Sequence, residues 1–324
     1  MSNSNTSRAP GMPTGAGIKP VRSFDFAQVD VFAERALEGN ALAIFTDARD
    51  LSSAEMQAIA RETNLSETTF VLPRSLEVER EHGVQVRIFL TTEEVPFAGH
   101  PTLGTASWLY WNHPAFRGSE QVTLDLGVGS ISVRFRPPEA GEAGVFGTMH
   151  QNDPIFGEIH SSSEDRGAIA AALGLSVDDL DAEFPAQVVS TGMAFCIVPL
   201  RSLAAAMRLR IAHTAARAYL NGIGARYFYC ITRASSNSGA DWHARMQFDA
   251  GEDAATGSAA GCAIAYLVRN QVVPSRVSVV IEQGIEMLRN SRIHVCATLE
   301  NDTVREVFVG GRTVPVAMGS LFLP

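Results

Sequence analysis

The 324-residue sequence lacks the features that would assign it to a membrane, a nucleic acid or a metal ion. Its apolar runs are far shorter than the roughly 20 residues that a helix needs to cross a bilayer. It has no block of lysine and arginine, and the formal net charge of -9 disfavours a surface for nucleic acid or anionic membrane. It has no His-Glu-x-x-His motif, which argues against a metal hydrolase. We therefore expect a small-molecule partner, no nucleic-acid or membrane partner, and no metal site.

Cysteine is also scarce. The sequence has only four, and all lie in the second half: Cys196, Cys230, Cys262 and Cys296. Their surroundings are apolar and no C-x-x-C spacing occurs, so they are interpreted as buried thiols of a protein in a reducing cytoplasm. The first twenty residues are rich in Ser, Asn, Gly and Pro and lack the apolar segment of a secretion signal. Residues 1–21 are therefore predicted to be a disordered tail.

The rest of the chain alternates strand-like and helix-like segments. Alternating apolar residues predict a hairpin over 122–137, and a Ser52/Glu55 capping box predicts the start of a helix over 52–64. The Pro-, Glu- and Gly-rich segment 137–144 is the best linker candidate. We expect a first domain over residues 22–140 and a second over 141–312, and residues 313–324 are a candidate for returning to the first domain.

Two stretches in different halves of the chain resemble each other. EVPFAGHPTLGTASW (94–108) and GEDAATGSAAGCAIAYL (251–267) each place a glycine-rich turn before small residues with helical character. Arg87 aligns with Arg245 at an offset of 158. Ala98, Gly104 and Ala106 align with Ala255, Gly261 and Ala263 at an offset of 157, so the alignment needs one missing residue. The pattern favours a duplicated domain.

The glycines of these stretches suggest how the two copies work together. A glycine inside a helix costs about 1 kcal/mol relative to alanine, so Gly104 and Gly261 favour a buried helix with strands packed closely around it. The N-terminus of such a helix presents unpaired N–H groups and the positive end of the helix dipole, and it can bind a carboxylate. Two such turns facing each other would hold a small carboxylic acid between His100 and Ser258.

Each candidate residue also has a plain structural explanation. His100 could pack at the helix start, Asp253 could be an N-cap, and Ser258 could be an ordinary residue of the first helical turn. Glu67 lies between a helix and a strand, where an acidic side chain is usually solvated. From residue type alone these alternatives stay open.

Taken together, the motifs resemble those of the PhzF-like isomerase family of phenazine biosynthesis. The resemblance spans nearly the whole chain after the tail and is carried by GNALAIF, NLSETTFV, PFAGHPTLG, VSTGMAF, ATGSAAG and IEQGIEM in this order. It implies an α+β fold of the diaminopimelate-epimerase type, with two pseudo-symmetric domains. Each domain is a curved sheet or barrel wrapped around a central helix, and the active site lies in the cleft. The resemblance implies a homodimer and no cofactor.

The same resemblance implies roles for individual residues. Glu67 of the SET motif matches the catalytic acid/base, with His100 and Asp253 as its catalytic companions. Substrate-binding positions match Gly99, Gly257 and Ser258. The best-known family reaction isomerises trans-2,3-dihydro-3-hydroxyanthranilate, in which a proton leaves one carbon, a double bond shifts, and a proton returns elsewhere. A glutamate in a water-poor cleft suits this chemistry, because burial raises its pKa toward neutrality.

Departures from the usual motifs leave the substrate open. Ala254 stands where proline is common, and LRNS (288–291) replaces GRPS. A cysteine-dependent racemase is disfavoured, because His100 and Ser258 stand at the two helix starts where that branch has thiols. A cofactor-free epimerase using Glu67 and His100, or a binding protein without catalysis, remains an alternative. The expected function is that of a cytoplasmic, cofactor-free isomerase of a small carboxylic acid.

Overall fold

The structure is a computed structural model and describes residues 21–234, 239–249 and 251–324. The predicted N-terminal tail lies outside these residues, except for Val21. None of the helices in the described ranges combines the length and the apolar character that a membrane span requires.

The first half of the chain starts with strands and ends with strands, and its longest helix lies between them. Its elements are β1 (Arg22–Val31), β2 (Asn40–Phe45), α1 (Ser53–Thr63), β3 (Glu67–Leu72), α2 (Leu76–His82), β4 (Val84–Leu90), β5 (Glu94–Val95), α3 (Gly99–Asn112), β6 (Gln121–Leu126), β7 (Gly129–Arg136) and β8 (Val145–His150).

The second half repeats this organisation and ends in one very long strand. Its elements are β9 (Ile155–His160), α4 (Ser163–Leu173), β10 (Ala186–Ser190), β11 (Ala194–Pro199), α5 (Leu203–Arg208), α6 (His213–Ile223), β12 (Tyr227–Arg233), β13 (Trp242–Arg245), β14 (Gln247–Phe248), β15 (Gly251–Glu252), α7 (Gly257–Arg269), β16 (Val279–Gln283), β17 (Ser291–Glu300) and β18 (Thr303–Leu323). Short 3-10 helices cover Val177–Asp179 and Ile285–Met287.

A closed barrel surrounds α3. In the described chain, eight strands follow one another in the order β1-β2-β3-β4-β6-β7-β8-β18, and β18 pairs with β1 to complete the ring. The helix α3 packs against strands on different sides of this ring, among them β1, β6 and β8. Its residues from Gly99 to Ser107 are buried without interruption, so α3 is the core of the first barrel.

A second curved sheet surrounds α7. It continues from β18 through β17, β16, β13, β12, β11 and β10 to the edge strand β9. The helix α7 packs against β10, β11, β12, β17 and β18, and ten consecutive residues from Ala259 to Val268 are buried. The prediction of an α+β fold, with a curved sheet around a central helix in each of two similar domains, is confirmed.

The strand β18 belongs to both sheets. Its beginning pairs with β17, its middle pairs with β8, and Thr313–Leu323 pairs with Val31–Arg22 of β1. Pro315, which has no N–H to donate, lies where the pairing with β1 shifts register. The division at residue 140 stays a prediction, although β8, which follows it, completes the first barrel.

The structure also shows the internal repeat directly. Arg87 on β4 donates two hydrogen bonds to the carboxylate of Glu94, from Nε over 2.7 Å and from Nη2 over 2.6 Å. Arg245 on β13 donates to Glu252 from the same two nitrogen atoms over the same distances. The arginines, the glutamates and the first residues of α3 and α7 are each 158 positions apart. The offset is thus a constant 158 from the two arginines to the first residues of the two helices. The prediction of a missing residue within this stretch is therefore wrong.

The sequence predicted some of the remaining elements and missed others. The Ser52/Glu55 capping box and the hairpin over 122–137 are confirmed. The sequence analysis missed α2, whose Glu79 is buried and meets His113 at 3.0 Å. A local signal was available, because Ser75 is the N-cap and accepts a hydrogen bond from the backbone nitrogen of Val78, and Glu77 lies in the first turn.

Gly104 tests whether close packing explains the glycine inside α3. An added Cβ would lie 2.7 Å from side-chain atoms of Leu42 and Val31, so Gly104→Ala should lower the free energy of unfolding by roughly 1–3 kcal/mol. The control is Gly167→Ala inside α4, where an added Cβ meets nothing within 4 Å and helix propensity should raise stability by up to about 1 kcal/mol. Urea denaturation measures both; equal shifts in the two variants would contradict the packing explanation.

Candidate active site

The N-terminal ends of α3 and α7 lie against each other. Gly99 is the first residue of α3, and Gly257 is the first residue of α7. A Cβ atom added to Gly99 would lie only 3.3 Å from the backbone nitrogen of Ser258. Neither helix has a side chain hydrogen-bonded to its N-terminal turn as a cap. The positive ends of both helix dipoles are therefore directed at one region between the closed barrel and the second curved sheet.

Glu67 and His100 face each other beside this region. Glu67 begins β3, and His100 lies in the first turn of α3, with Oε2 of Glu67 3.5 Å from Nε2 of His100. Only 16% of the Glu67 side chain and 5% of the His100 side chain are exposed. Both atoms are buried, and neither has a hydrogen-bond partner in the described structure. Both groups therefore have hydrogen-bonding capacity that no described residue uses.

Asn40 connects His100 with the second domain. Its side-chain nitrogen donates to Oδ1 of Asp253 over 2.7 Å and to the carbonyl oxygen of Ala255 over 3.0 Å. The same nitrogen lies 3.3 Å from Nδ1 of His100. Because an amide nitrogen presents only hydrogens, Nδ1 of a neutral His100 is the unprotonated ring nitrogen. The ring proton then lies on Nε2, on the side of Glu67.

Asp253 enters the site from the segment before α7. Its Oδ1 accepts the bond from Asn40, and its Oδ2 accepts a hydrogen bond of 2.6 Å from the hydroxyl of Thr256. The N-cap residue of α7 is Thr256. The alternative interpretation of Asp253 as the N-cap of this helix is therefore wrong.

Burial changes the acidity of all three ionisable groups. Burial, and to a smaller extent the negative charge of Asp253, together raise the pKa of Glu67 to about 8. Burial also raises the pKa of Asp253 to about 6, against the lowering effect of the hydrogen bonds from Thr256 and Asn40. Burial lowers the pKa of His100 to about 3. Near pH 7 the cluster therefore contains a protonated Glu67, a charged Asp253 and a neutral His100.

The structure brings all six predicted site residues together. Gly99, Gly257 and Ser258 form the contact between the helix ends, and Asn40 joins Glu67 and His100 on one side to Asp253 on the other. In the ranges that the structure describes, no group of three or more His, Cys, Asp or Glu side chains is arranged to hold a metal ion. The catalytic and substrate-binding roles of the six residues stay predictions.

The sequence analysis missed Asn40, Thr256 and Gln283 as parts of this site. All three are buried, and each contacts Asp253 or its backbone. All three lie within motifs that carry the family resemblance, namely GNALAIF, ATGSAAG and IEQGIEM. The available signal was a polar residue at the end of a strongly apolar strand, as at Asn40 and Gln283.

Comparison with known proteins finds similarity over nearly the whole chain. The family model described as "Phenazine biosynthesis-like protein" (PhzC-PhzF) matches residues 29–319. A curated relative, the trans-2,3-dihydro-3-hydroxyanthranilate isomerase of Pseudomonas aeruginosa strain PAO1, is 32% identical over 301 residues. This alignment covers 92% of the present chain and 99% of the relative.

Solved structures show the same extent of similarity. The crystal structure of a PhzF-family phenazine biosynthesis protein from Bacillus anthracis has a TM-score of 0.82 and 25% identity, and covers 93% of this chain and 100% of that one. A predicted epimerase from Pseudomonas aeruginosa has a TM-score of 0.76 and 35% identity, with coverages of 92% and 99%. The similarity therefore includes both domains and the cleft between them.

The raised pKa of Glu67 predicts how the stability of the protein changes with pH. Between about pH 4.5 and pH 8 the unfolded chain ionises this carboxyl while the folded chain keeps it protonated, so stability falls as pH rises. Glu67→Gln removes the ionisable carboxyl and with it this loss of stability at higher pH. The stability of the variant relative to wild type should therefore increase between pH 5 and pH 8, by roughly 3 kcal/mol.

Denaturant unfolding at several pH values measures this difference. Glu62→Gln, at an exposed position of α1, is the control and should show no such pH-dependent gain. A pH-independent difference between wild type and Glu67→Gln would show that Glu67 ionises normally in the folded protein.

Proposed function

Because this chain belongs to the phenazine biosynthesis-like (PhzC-PhzF) protein family and is an isomerase of the PhzF type, we propose that it moves a proton between carbon atoms of a small carboxylic acid. The observation that carries the proposal is the pair formed by Oε2 of Glu67 and Nε2 of His100. These two atoms are 3.5 Å apart, buried, and without hydrogen-bond partners among the described residues. They lie beside the place where the ends of α3 and α7 meet.

The two helix ends bind the carboxylate of the substrate in this proposal. Gly99 and Gly257 provide backbone N–H groups, and Ser258 adds a hydroxyl from the first turn of α7. A carboxylate between two positive dipole ends is stabilised from both domains at once. This binding mode places the carbon atoms next to the carboxylate close to Glu67.

Glu67 transfers the proton as general base and then as general acid. Its pKa of about 8 is close to neutral pH, so the carboxyl can both take up and release a proton during one reaction. The Nε2–H of His100 donates to the polar group on which negative charge develops, and the charge of Asp253 favours the protonated form of Glu67. Since these steps need only proton transfer and hydrogen bonding, we propose a reaction without cofactor.

The name of the relative suggests the class of substrate. That relative is a trans-2,3-dihydro-3-hydroxyanthranilate isomerase, and it aligns over nearly its full length. We therefore propose a small cyclic acid that carries an amino group as the substrate of this chain. Nucleic acids and membranes are not proposed as partners, because the negative net charge disfavours both.

A second candidate function is cofactor-free epimerisation of an amino acid. It is favoured by the similarity to the predicted epimerase and by the facing arrangement of Glu67 and His100, which suits removal and return of a proton at one carbon. A binding protein without catalysis would not need a buried carboxyl with a raised pKa, whose burial costs stability.

Location and assembly are also proposals. We propose a cytoplasmic protein, since all four cysteines are free thiols and Cys196, Cys230 and Cys262 are buried. We propose a homodimer, which is supported by two exposed isoleucines, Ile155 and Ile159, on the edge strand β9. Light scattering after size-exclusion chromatography distinguishes the dimer from a monomer.

Deuterium exchange in D₂O tests the proposed chemistry. NMR should show carbon-bound deuterium entering trans-2,3-dihydro-3-hydroxyanthranilate or a related cyclic amino acid. Glu67→Gln should reduce the rate by about 10²–10⁴-fold, because it removes the group that transfers the proton. The wild-type rate should rise with pH toward the pKa of Glu67, about 8, as the base form accumulates.

The site of the deuterium separates the candidate functions. Deuterium at a carbon other than the one that lost its proton indicates isomerisation, whereas deuterium with inversion at the same carbon indicates epimerisation. Tight binding without uptake would favour a binding protein. Glu62→Gln is the matched control, and equal rates for wild type and Glu67→Gln would remove Glu67 from its role.

A further inference from the structure

The side-chain amide of Gln283 is wholly buried next to the proposed active site, and its orientation is determined by its neighbours. Its Oε1 lies 3.1 Å from the backbone nitrogen of Thr256 and 3.1 Å from the hydroxyl of Tyr229. Its Nε2 lies 2.8 Å from the carbonyl oxygen of Asp253 and 2.9 Å from Oγ1 of Thr256. A backbone N–H only donates and a carbonyl only accepts, so the amide fits in one orientation.

This orientation also directs the hydroxyl of Thr256. Nε2 of Gln283 donates to Oγ1 of Thr256, so the single hydroxyl hydrogen is available for another acceptor. That acceptor is Oδ2 of Asp253, at 2.6 Å. The distance is typical of a hydroxyl that donates to a charged carboxylate. The hydrogen bonds therefore run in one direction, from Gln283 through Thr256 to Asp253.

We propose that Gln283 and Thr256 are positioning residues that keep Asp253 ionised, so that the charge of Asp253 holds the transferable proton on Glu67. The inference rests on the proposed function, in which Glu67 is the acid/base. Reversing the chain of hydrogen bonds would turn donor toward donor or acceptor toward acceptor in a buried site, and each buried polar group left unpaired costs about 1–3 kcal/mol. The wholly buried amide thus acts on the reaction through Asp253 without touching the substrate.

The other groups around Asp253 agree with this assignment. Asn40 donates to Oδ1 and so also favours the charged carboxylate. The ionisable neighbours are Glu67 on β3, His100 on α3 and Tyr229 on β12. Burial holds His100 neutral, and burial with the charge of Asp253 raises the pKa of Tyr229, so Tyr229 stays a donor. Glu67 is therefore the neighbour whose proton responds to the charge of Asp253.

Thr256→Val tests the proposal, because it removes the hydroxyl and keeps the shape of the side chain. Carbon-detected NMR of the protein labelled with ¹³C follows the titration of the Glu67 and Asp253 carboxyl groups without substrate, with Glu67→Gln and Asp253→Asn for assignment. In Thr256→Val the pKa of Asp253 should rise and that of Glu67 should fall, which narrows their separation by about one unit or more. Thr256→Ser should restore the wild-type separation.

Two further measurements complete the experiment. Thr298→Val is the matched control, since Thr298 also donates to a carboxylate, Glu306, over 2.9 Å, but in the strand pair β17–β18 outside the site. It should leave both titrations unchanged. In the deuterium assay, the rising limb of the pH profile should move to lower pH in Thr256→Val but not in Thr256→Ser.

The titration tests the positioning role, and the deuterium assay tests the proposed function, so each can be contradicted separately. Unchanged Glu67 and Asp253 titrations in a folded Thr256→Val, checked by near-ultraviolet circular dichroism, would overturn the positioning role. A shift of equal size in Thr256→Ser would overturn it as well. Wild-type protein that shows the expected titrations but no deuterium uptake would instead contradict the proposed function and leave the positioning of Asp253 intact.

Discussion

The contact between the N-terminal ends of α3 and α7 is the constraint on which the cleft depends. Gly99 approaches the backbone of Ser258 so closely that a side chain at position 99 would crowd the other helix. Two positive dipole ends repel each other, so other contacts must hold them together. The two central helices are buried within their sheets, and β18 pairs in both, which supplies that restraint. An anion between the helix ends would relieve the repulsion.

A second restraint crosses the domains beside the cluster of Glu67, His100 and Asp253. Arg289 of the second domain donates to the carboxylate of Asp30, over 2.7 Å, and to the carbonyl oxygens of Glu38 and Gly39. Glu38 and Gly39 directly precede Asn40, which bonds to Asp253 and lies next to His100. Asp30 is wholly buried, so its pairing with Arg289 also avoids the cost of an isolated buried charge. The position of Asn40 thus depends on both domains.

Burial shifts the pKa values of the carboxyl groups in the site at the expense of stability. The same desolvation that raises the pKa of Glu67 and Asp253 disfavours their charged forms in the folded chain. Near neutral pH, one proton is therefore retained on this pair of carboxyl groups. Hydrogen bonds from Asn40 and Thr256 limit the effect on Asp253, whereas Oε2 of Glu67 has no such partner in the described structure. The two carboxyl groups therefore differ in acidity because their hydrogen-bond partners differ.

The sequence by itself determined the duplicated organisation, because two contiguous stretches repeat the same pattern. It also determined the α+β class and the six candidate residues, because contiguous motifs carry a resemblance to the PhzF-like family. Only the tertiary structure decided how the candidates meet. Asn40 and Asp253 are 213 positions apart in sequence and share a hydrogen bond of 2.7 Å, which no local pattern encodes. The pKa values of Glu67 and His100 likewise depend on burial in the folded protein, and the 3.0 Å contact between Glu79 and His113 forms only there. Long-range packing determines these hydrogen bonds and pKa values, whereas the sequence pattern shows only which residues can take part in them.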